Sequence, residues 1–147
     1  MHKEDFRVIK QKGFYKLING DCLEVMKDIP DKIIDCIVCD PPYGTTACKW
    51  DSIIPFDLMW EQLERIIKDD GAIVLFGSEP FSSALRMSNI KNYKYDWVWN
   101  KALAGNGILA KKQPLKIHEN IMVFHSKIYQ PQMTKGKFRK KDGFERK

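Results

Sequence analysis

Apolar and polar positions along this 147-residue chain switch repeatedly between the period of a strand and the period of a helix. Residues 14–20 (FYKLING) read as a strand closed by Gly20. Residues 22–29 place Leu23, Met26 and Ile29 at helical spacing, and Pro30 with Asp31 stops that helix. Residues 32–40 (KIIDCIVCD) form a near-continuous apolar run, the pattern of a strand buried on both faces of a parallel sheet. In residues 56–69, Phe56, Met59, Trp60, Leu63, Ile66 and Ile67 share one helical face, with Pro55 at the start and Asp70-Gly71 at the end. Residues 72–77 predict a second buried strand, and Pro80 opens a helix reaching about Ile90. Residues 93–100 and 119–125 predict two more strands. Three strand–helix units in succession make a parallel α/β domain the natural class. Residues 102–118 lack a helical pattern and are rich in Gly and Lys, and a loop of that length is uncommon unless functional.

Composition narrows the class. The chain is 44% hydrophobic and 30% charged, as in soluble globular domains, and is long enough for one real core. No apolar run approaches the roughly 20 residues of a membrane span, and the N-terminus lacks an apolar signal segment. The net charge of +6 is concentrated at one end: residues 127–147 hold eight Lys or Arg against two acids, whereas residues 1–126 hold 17 of each sign. Such a tail suits nucleic-acid contact or a solvated end. Cys36 and Cys39 form a CxxC, but both fall inside a predicted strand, where residues three apart face opposite ways. No second CxxC or close His pair accompanies them, so Cys22, Cys36, Cys39 and Cys48 are expected to be buried free thiols, with no metal site.

The most informative stretch follows the run at 32–40. Asp40-Pro41-Pro42-Tyr43-Gly44 cannot be strand interior, because two prolines remove two backbone donors and fix two φ angles. A carboxylate, rigid carbonyls and an aromatic ring therefore stand together where the chain leaves a strand, the end at which open α/β sheets bind ligands. An exocyclic amine conjugated to an aromatic base is a poor nucleophile. A site that activates it needs two acceptors for its two N–H bonds and a flat surface for the ring. Asp40 supplies one acceptor, a carbonyl of the Pro41–Pro42 pair the other, and Tyr43 the stacking face, with Gly44 allowing close approach. A base in duplex DNA must first be flipped out of the stack. Asp21, at the end of another predicted strand, reads either as a helix cap or as a ligand contact.

DPPYG preceded by NGDCLEVMKDIPDKIIDCIVCD, and followed by GAIVLFGSEPF at 71–81, resembles the amino-methylating DNA methyltransferases of adenine N6 or cytosine N4, in the motif order of their beta class. The resemblance covers residues 14–126. It implies a Rossmann-like S-adenosylmethionine-dependent methyltransferase fold, mostly parallel with a C-terminal antiparallel hairpin. It implies DNA as partner, adenine N6 ahead of cytosine N4, a cytoplasmic bacterial or phage setting such as restriction-modification, and no membrane. Asp40, Pro41, Pro42 and Tyr43 match the catalytic motif, and Asp21, Cys22 (through its backbone N–H) and Asp40 match cofactor contacts. Residues 1–126 would be the catalytic domain and 127–147 the start of a target-recognition region.

One departure bears on this. The glycine-rich FxGxG-type cofactor motif, which follows target recognition in that class, has no counterpart here. The fold is therefore expected to be incomplete at its C-terminus, with a C-terminal half or second chain missing. Residues 1–147 alone are expected to bind S-adenosylmethionine weakly or not at all and to carry out no methylation, with strands 14–20 and 33–39 either exposed at their edges or paired with each other. A non-catalytic DNA-binding remnant and an RNA or protein amino-methyltransferase are the alternatives. No proline precedes Cys, which excludes the nucleophile motif of ring-carbon cytosine methylation, and no GxxxxGK[ST] loop is present.

Trp50 reads as a lid or core residue or as a contact to the base or cofactor pocket, and Lys111, Lys112 and Lys116 as a solvated loop or as phosphate contacts. Trp50, Lys111 and Lys112 join Tyr43 as candidate DNA contacts. His118, His125, Trp97 and Trp99 read as structural.

Overall fold

The computed structural model describes residues 7–12, 15–105, 107–133 and 135–136, with the side chains of 7–12 excepted. The elements run β1 (Arg7–Lys12), β2 (Tyr15–Asn19), α1 (Cys22–Lys27), β3 (Ile34–Cys39), α2 (Phe56–Ile66), β4 (Ile67–Gly77), α3 (Phe81–Ser88), β5 (Tyr93–Asn100) and β6 (His118–Phe124). The strand β1 was not anticipated from sequence. It pairs antiparallel with β2 in a separate two-stranded sheet.

The main sheet has the order β3-β4-β6-β5. The pair β3–β4 is parallel, and β6 is antiparallel to both β4 and β5. Three of the four strands therefore share one direction, with β6 reversed and inserted between β4 and β5, so the expected C-terminal hairpin is present. Strands β2 and β3 do not pair: β2 lies with β1, and β3 with β4.

The core lies between this sheet and the two helices α2 and α3. Met59, Trp60 and Leu63 of α2 meet Ile67, Ile73 and Leu75 of β4, Phe81 and Leu85 of α3, and Met122 and Phe124 of β6. Trp60 packs its ring at 4.8 Å from Phe124 and donates its indole N–H to Ser88 Oγ at 2.8 Å, so a large aromatic is buried without losing its polar partner. Arg65 ties α1 to α2 by donating to the carbonyls of Met26 and Ile29 and to Asp31.

Two expectations need correction. The helix predicted over 56–69 stops at Ile66, and β4 begins at Ile67, well before residue 72. The N–H groups of Lys32 and Ile33 take the carbonyls of Arg65 and Ile66 at 3.0 and 3.1 Å, which supplies the partners a further helical turn would have given. Ile67 is wholly buried in extended conformation and pairs with Ile34. Gly71 is thus strand interior rather than a helix cap. A Cβ there would lie 2.8 Å from the Asp35 carbonyl and 2.7 Å from Ile67 Cγ1.

The second correction concerns β3. The run at 34–39 is mostly exposed, with Val38 66% accessible, not buried on both faces. Only Ile34 and Ile37 reach the core, across a register irregularity between Ile34 and Cys36, and among the described residues no strand pairs with the outer edge of β3. All four cysteines are free and exposed rather than buried: Cys36 and Cys39 lie on the open β3, Cys22 starts α1, and Cys48 lies in the loop beyond the turn.

Candidate active site

The chain leaves β3 at Cys39 and turns at once through Asp40, Pro41, Pro42 and Tyr43. Pro41 is buried, Pro42 and Tyr43 are half-buried, and Asp40 is exposed. This end of β3 is its carboxyl end, where the neighbouring parallel strand β4 also finishes, at Gly77. The Tyr43 hydroxyl donates to Asp40 Oδ1. The Tyr43 ring stacks on Phe81, the first residue of α3, with centroids 5.0 Å apart, and Phe56 closes behind at 5.8 Å from Phe81. One face of Tyr43 is therefore taken by the core. Burial, then the bond to Asp40, push the Tyr43 phenol well above its ordinary range, so it stays a neutral donor.

Gly44 has φ of +67°, and a Cβ there would fall 2.9 Å from Ile53 Cγ1, so the turn itself requires glycine. The following loop is fastened by a residue the sequence reading did not single out. Asp51, 8% exposed, accepts the N–H groups of Gly44, Thr45 and Thr46 at 2.8, 2.9 and 2.7 Å. The Thr46 hydroxyl and these three amides lower its carboxyl to about 2. A sequence signal for it existed: an acid returning directly after Trp50, at the end of a loop whose start offers three successive donors.

Asp40, Pro41, Pro42, Tyr43, Thr45, Thr46, Trp50 and Asp51 line a cavity of about 300 Å³. Trp50 is 73% exposed at its rim. A second, larger cavity of about 560 Å³ shares Tyr43, Thr45 and Thr46 with the first and extends over the end of β4 to the 101–118 segment. Lys111 and Lys112 are exposed on that segment, just after a single 3₁₀ turn at Gly107–Leu109, and line neither cavity. Lys116, by contrast, lines the second, where its Nζ donates to Ser78 Oγ at 2.7 Å.

Asp21 caps α1, accepting the Leu23 N–H at 2.8 Å. Its neighbour Cys22 opens α1 and lies within electrostatic reach of Cys39 at the end of β3, which also feels Asp40. Partial burial, then Asp21, push the Cys22 thiol up; partial burial, then Cys22 and Asp40, push that of Cys39 up. Both remain protonated at neutral pH and are poor nucleophiles. Residues 134 and 137–147, most of the basic tail, lie outside the described residues. Among the described residues no helix is long and apolar enough to cross a membrane.

This fold, with one reversed strand between parallel ones, is the Rossmann-like methyltransferase fold. Solved structures that share it include the PvuII DNA methyltransferase, titled cytosine-N4-specific, with a TM-score of 0.57 and 14% identity over 71% of this chain and 46% of that one. A complex of M1.HpyAVI with S-adenosylmethionine gives a TM-score of 0.52 and 18% identity, over 80% of this chain and 60% of the other. In sequence the chain is similar to the type II methyltransferase M.HinfI of Haemophilus influenzae, 28% identical over 113 residues, covering 58% of this chain and 31% of the relative. M.BamHI of Bacillus amyloliquefaciens is 27% identical, covering 53% and 22%. The chain thus spans less than a third of the length of either relative. No family model matches it.

Proposed function

We propose that this chain carries the base-binding and catalytic part of a DNA methyltransferase that moves a methyl group from S-adenosylmethionine to the exocyclic amine of a flipped base, adenine N6 ahead of cytosine N4. The observation that carries this reading is the first cavity. It opens at the carboxyl end of a parallel strand and joins a carboxylate, a proline-stiffened backbone and two aromatic rings in a space of about 300 Å³. The names of the similar proteins point the same way.

In this reading Asp40 and a carbonyl of the Pro41–Pro42 pair accept the two N–H bonds of the amine and draw its lone pair out of conjugation. Tyr43 offers the base the ring face that Phe81 leaves free, and Trp50 covers the mouth. Because Asp40 Oδ1 already accepts the Tyr43 hydroxyl, an arriving amine meets the other carboxylate oxygen or displaces the phenol. Asp51 holds the loop so that these groups are positioned before the base arrives, which places the cost of ordering in folding rather than in the reaction.

S-adenosylmethionine would supply an electrophilic methyl group. Asp21, which caps α1, with the Cys22 backbone N–H and Asp40, would hold the amine-bearing adenine end of that cofactor. Residues 1–126 act as the catalytic unit in this reading. The tail at 127–147, with Lys111 and Lys112, supplies phosphate attraction without sequence readout.

The test is the acceptor. The gene product is incubated with tritiated S-adenosylmethionine and, separately, duplex DNA, structured RNA and protein. Whatever label is transferred is expected in DNA alone, as N6-methyladenine or N4-methylcytosine after digestion. Label in RNA or protein instead of DNA would overturn the reading.

A further inference from the structure

The segment between β5 and β6 holds large apolar side chains in solvent at the end of the sheet that carries the candidate site. Because β6 is antiparallel to both β4 and β5, β5 runs in the same direction as β3 and β4. The segment that follows β5 therefore stands at the carboxyl end of the sheet, as Asp40 does. Its two ends are tied together: the Lys101 N–H donates to the Ile117 carbonyl at 2.7 Å, and Lys101 Nζ pairs with Glu119 at 2.5 Å. Through Gly105 and Gln113 it walls the second cavity, which shares Tyr43, Thr45 and Thr46 with the first.

The tip of this segment is folded. The 3₁₀ turn at Gly107–Leu109 runs into a second turn: the Ala110 N–H donates to the Gly107 carbonyl at 3.1 Å, and the N–H groups of Lys112 and Gln113 donate to the Leu109 carbonyl at 2.8 and 3.0 Å. That frame presents Ile108 to solvent with 98% of its surface accessible. A lone exposed apolar residue is ordinary. Here it stands on a hydrogen-bonded turn, on a segment that walls a cavity beside the base site, and the exposed Lys111 and Lys112 follow directly. An apolar tip with cations at its foot is suited to entering a base stack, the side chain replacing lost stacking contacts and the cations meeting the neighbouring phosphates.

We propose that Ile108 is a wedge that enters the double helix at the gap left by the flipped base, while Lys111 and Lys112 hold the phosphates beside that gap. This rests on the reading of the first cavity as the site of a flipped DNA base. The wedge opposes return of the base to the stack and so keeps its amine at Asp40.

The test is fluorescence anisotropy of the whole chain with two duplexes of one sequence, the first intact and the second carrying a single abasic tetrahydrofuran unit. The abasic duplex has its gap open from the start and brings no base to Asp40, so it reads the wedge apart from the base site. It should bind about fivefold tighter than the intact duplex, because the cost of emptying the stack has been removed. Ile108→Ala should erase that advantage by weakening the abasic complex, and Ile108→Met should retain most of it. Lys111→Ala/Lys112→Ala should weaken both complexes alike, lessen their salt dependence and keep the advantage. Equal affinity for the two duplexes, or an advantage that survives Ile108→Ala, would overturn the wedge while leaving the base site standing. Loss of self-association in Ile108→Ala by sedimentation, with abasic binding unchanged, would assign the tip to a second copy of this chain and overturn the wedge. Failure to bind either duplex would overturn the DNA reading and the wedge with it.

Discussion

Asp51 accepts the backbone N–H of Gly44 at 2.8 Å, and through that bond a buried carboxylate fixes the turn that carries Tyr43. Two further amides and the Thr46 hydroxyl converge on the same group and lower its carboxyl from 3.8 to about 2. A carboxylate whose folded value is depressed stabilises above its unfolded value and stops doing so as pH falls through the folded one. The loop should therefore hold down to about pH 4 and loosen between there and about pH 2. Amide shifts of Gly44, Thr45 and Thr46 should titrate together in that window. In Asp51→Asn, which keeps one acceptor but adds two donors, they should be displaced at every pH and show no common transition. Unchanged amide shifts in Asp51→Asn would remove Asp51 from the positioning of the turn.

Tyr43 has two separable parts. Its ring lies between Phe81 and the cavity, and its hydroxyl bonds Asp40. If the ring is the stacking surface, Tyr43→Phe should hold nucleoside affinity within about threefold, since only the hydroxyl is lost. Tyr43→Ala should cost about 10-fold or more, in line with about 1–3 kcal/mol per stacked base. Amide NMR titration with 2′-deoxyadenosine reads both. A larger loss in Tyr43→Phe than in Tyr43→Ala would mean that the hydroxyl, not the ring, is what the site uses.

Gly71 and Gly77 lie in the same strand but in different surroundings. A Cβ at Gly71 meets the Asp35 carbonyl of β3 at 2.8 Å, backbone that cannot yield without moving the β3–β4 pairing. At Gly77 the near atoms are Met122 Cε at 2.6 Å and Ser82 Oγ at 2.8 Å, both ends of side chains. Overpacking costs about 1–3 kcal/mol. Gly71→Ala should fall at the top of that range and Gly77→Ala at the bottom, as measured by urea unfolding, because Met122 can change rotamer. The reverse order would show that β3 and β4 are less tightly apposed than the distances say.

Much of this was legible in the residues, for identifiable reasons. The Pro-Pro pair forces the chain out of β3, so the place of Asp40 and Tyr43 followed from backbone chemistry alone. Trp60 and Leu63 lie in the core that their helical spacing predicts. The boundary at Ile66 and Ile67 was not legible, because the partners that end α2 are the N–H groups of Lys32 and Ile33, over 30 residues away in sequence. The exposure of β3 was missed because an apolar run tells that a strand can be covered, not what covers it. Asp51 was missed as part of the site because the partners that define it come from loop folding, which hydrophobic period does not encode.

The central claim is that Asp40 and its proline-stiffened neighbours bind an exocyclic amine, and one comparison tests it most directly. Binding of 2′-deoxyadenosine is measured against its analogue lacking the 6-amino group, and 2′-deoxycytidine against its analogue lacking the 4-amino group, in the parent chain and in Asp40→Ala. For at least one base the parent should prefer the amine-bearing nucleoside by about 10-fold, the scale of one hydrogen bond to a charged acceptor. In Asp40→Ala the paired nucleosides should bind equally. Equal binding of both pairs by the parent, or a preference that survives loss of the Asp40 carboxylate, would contradict the account.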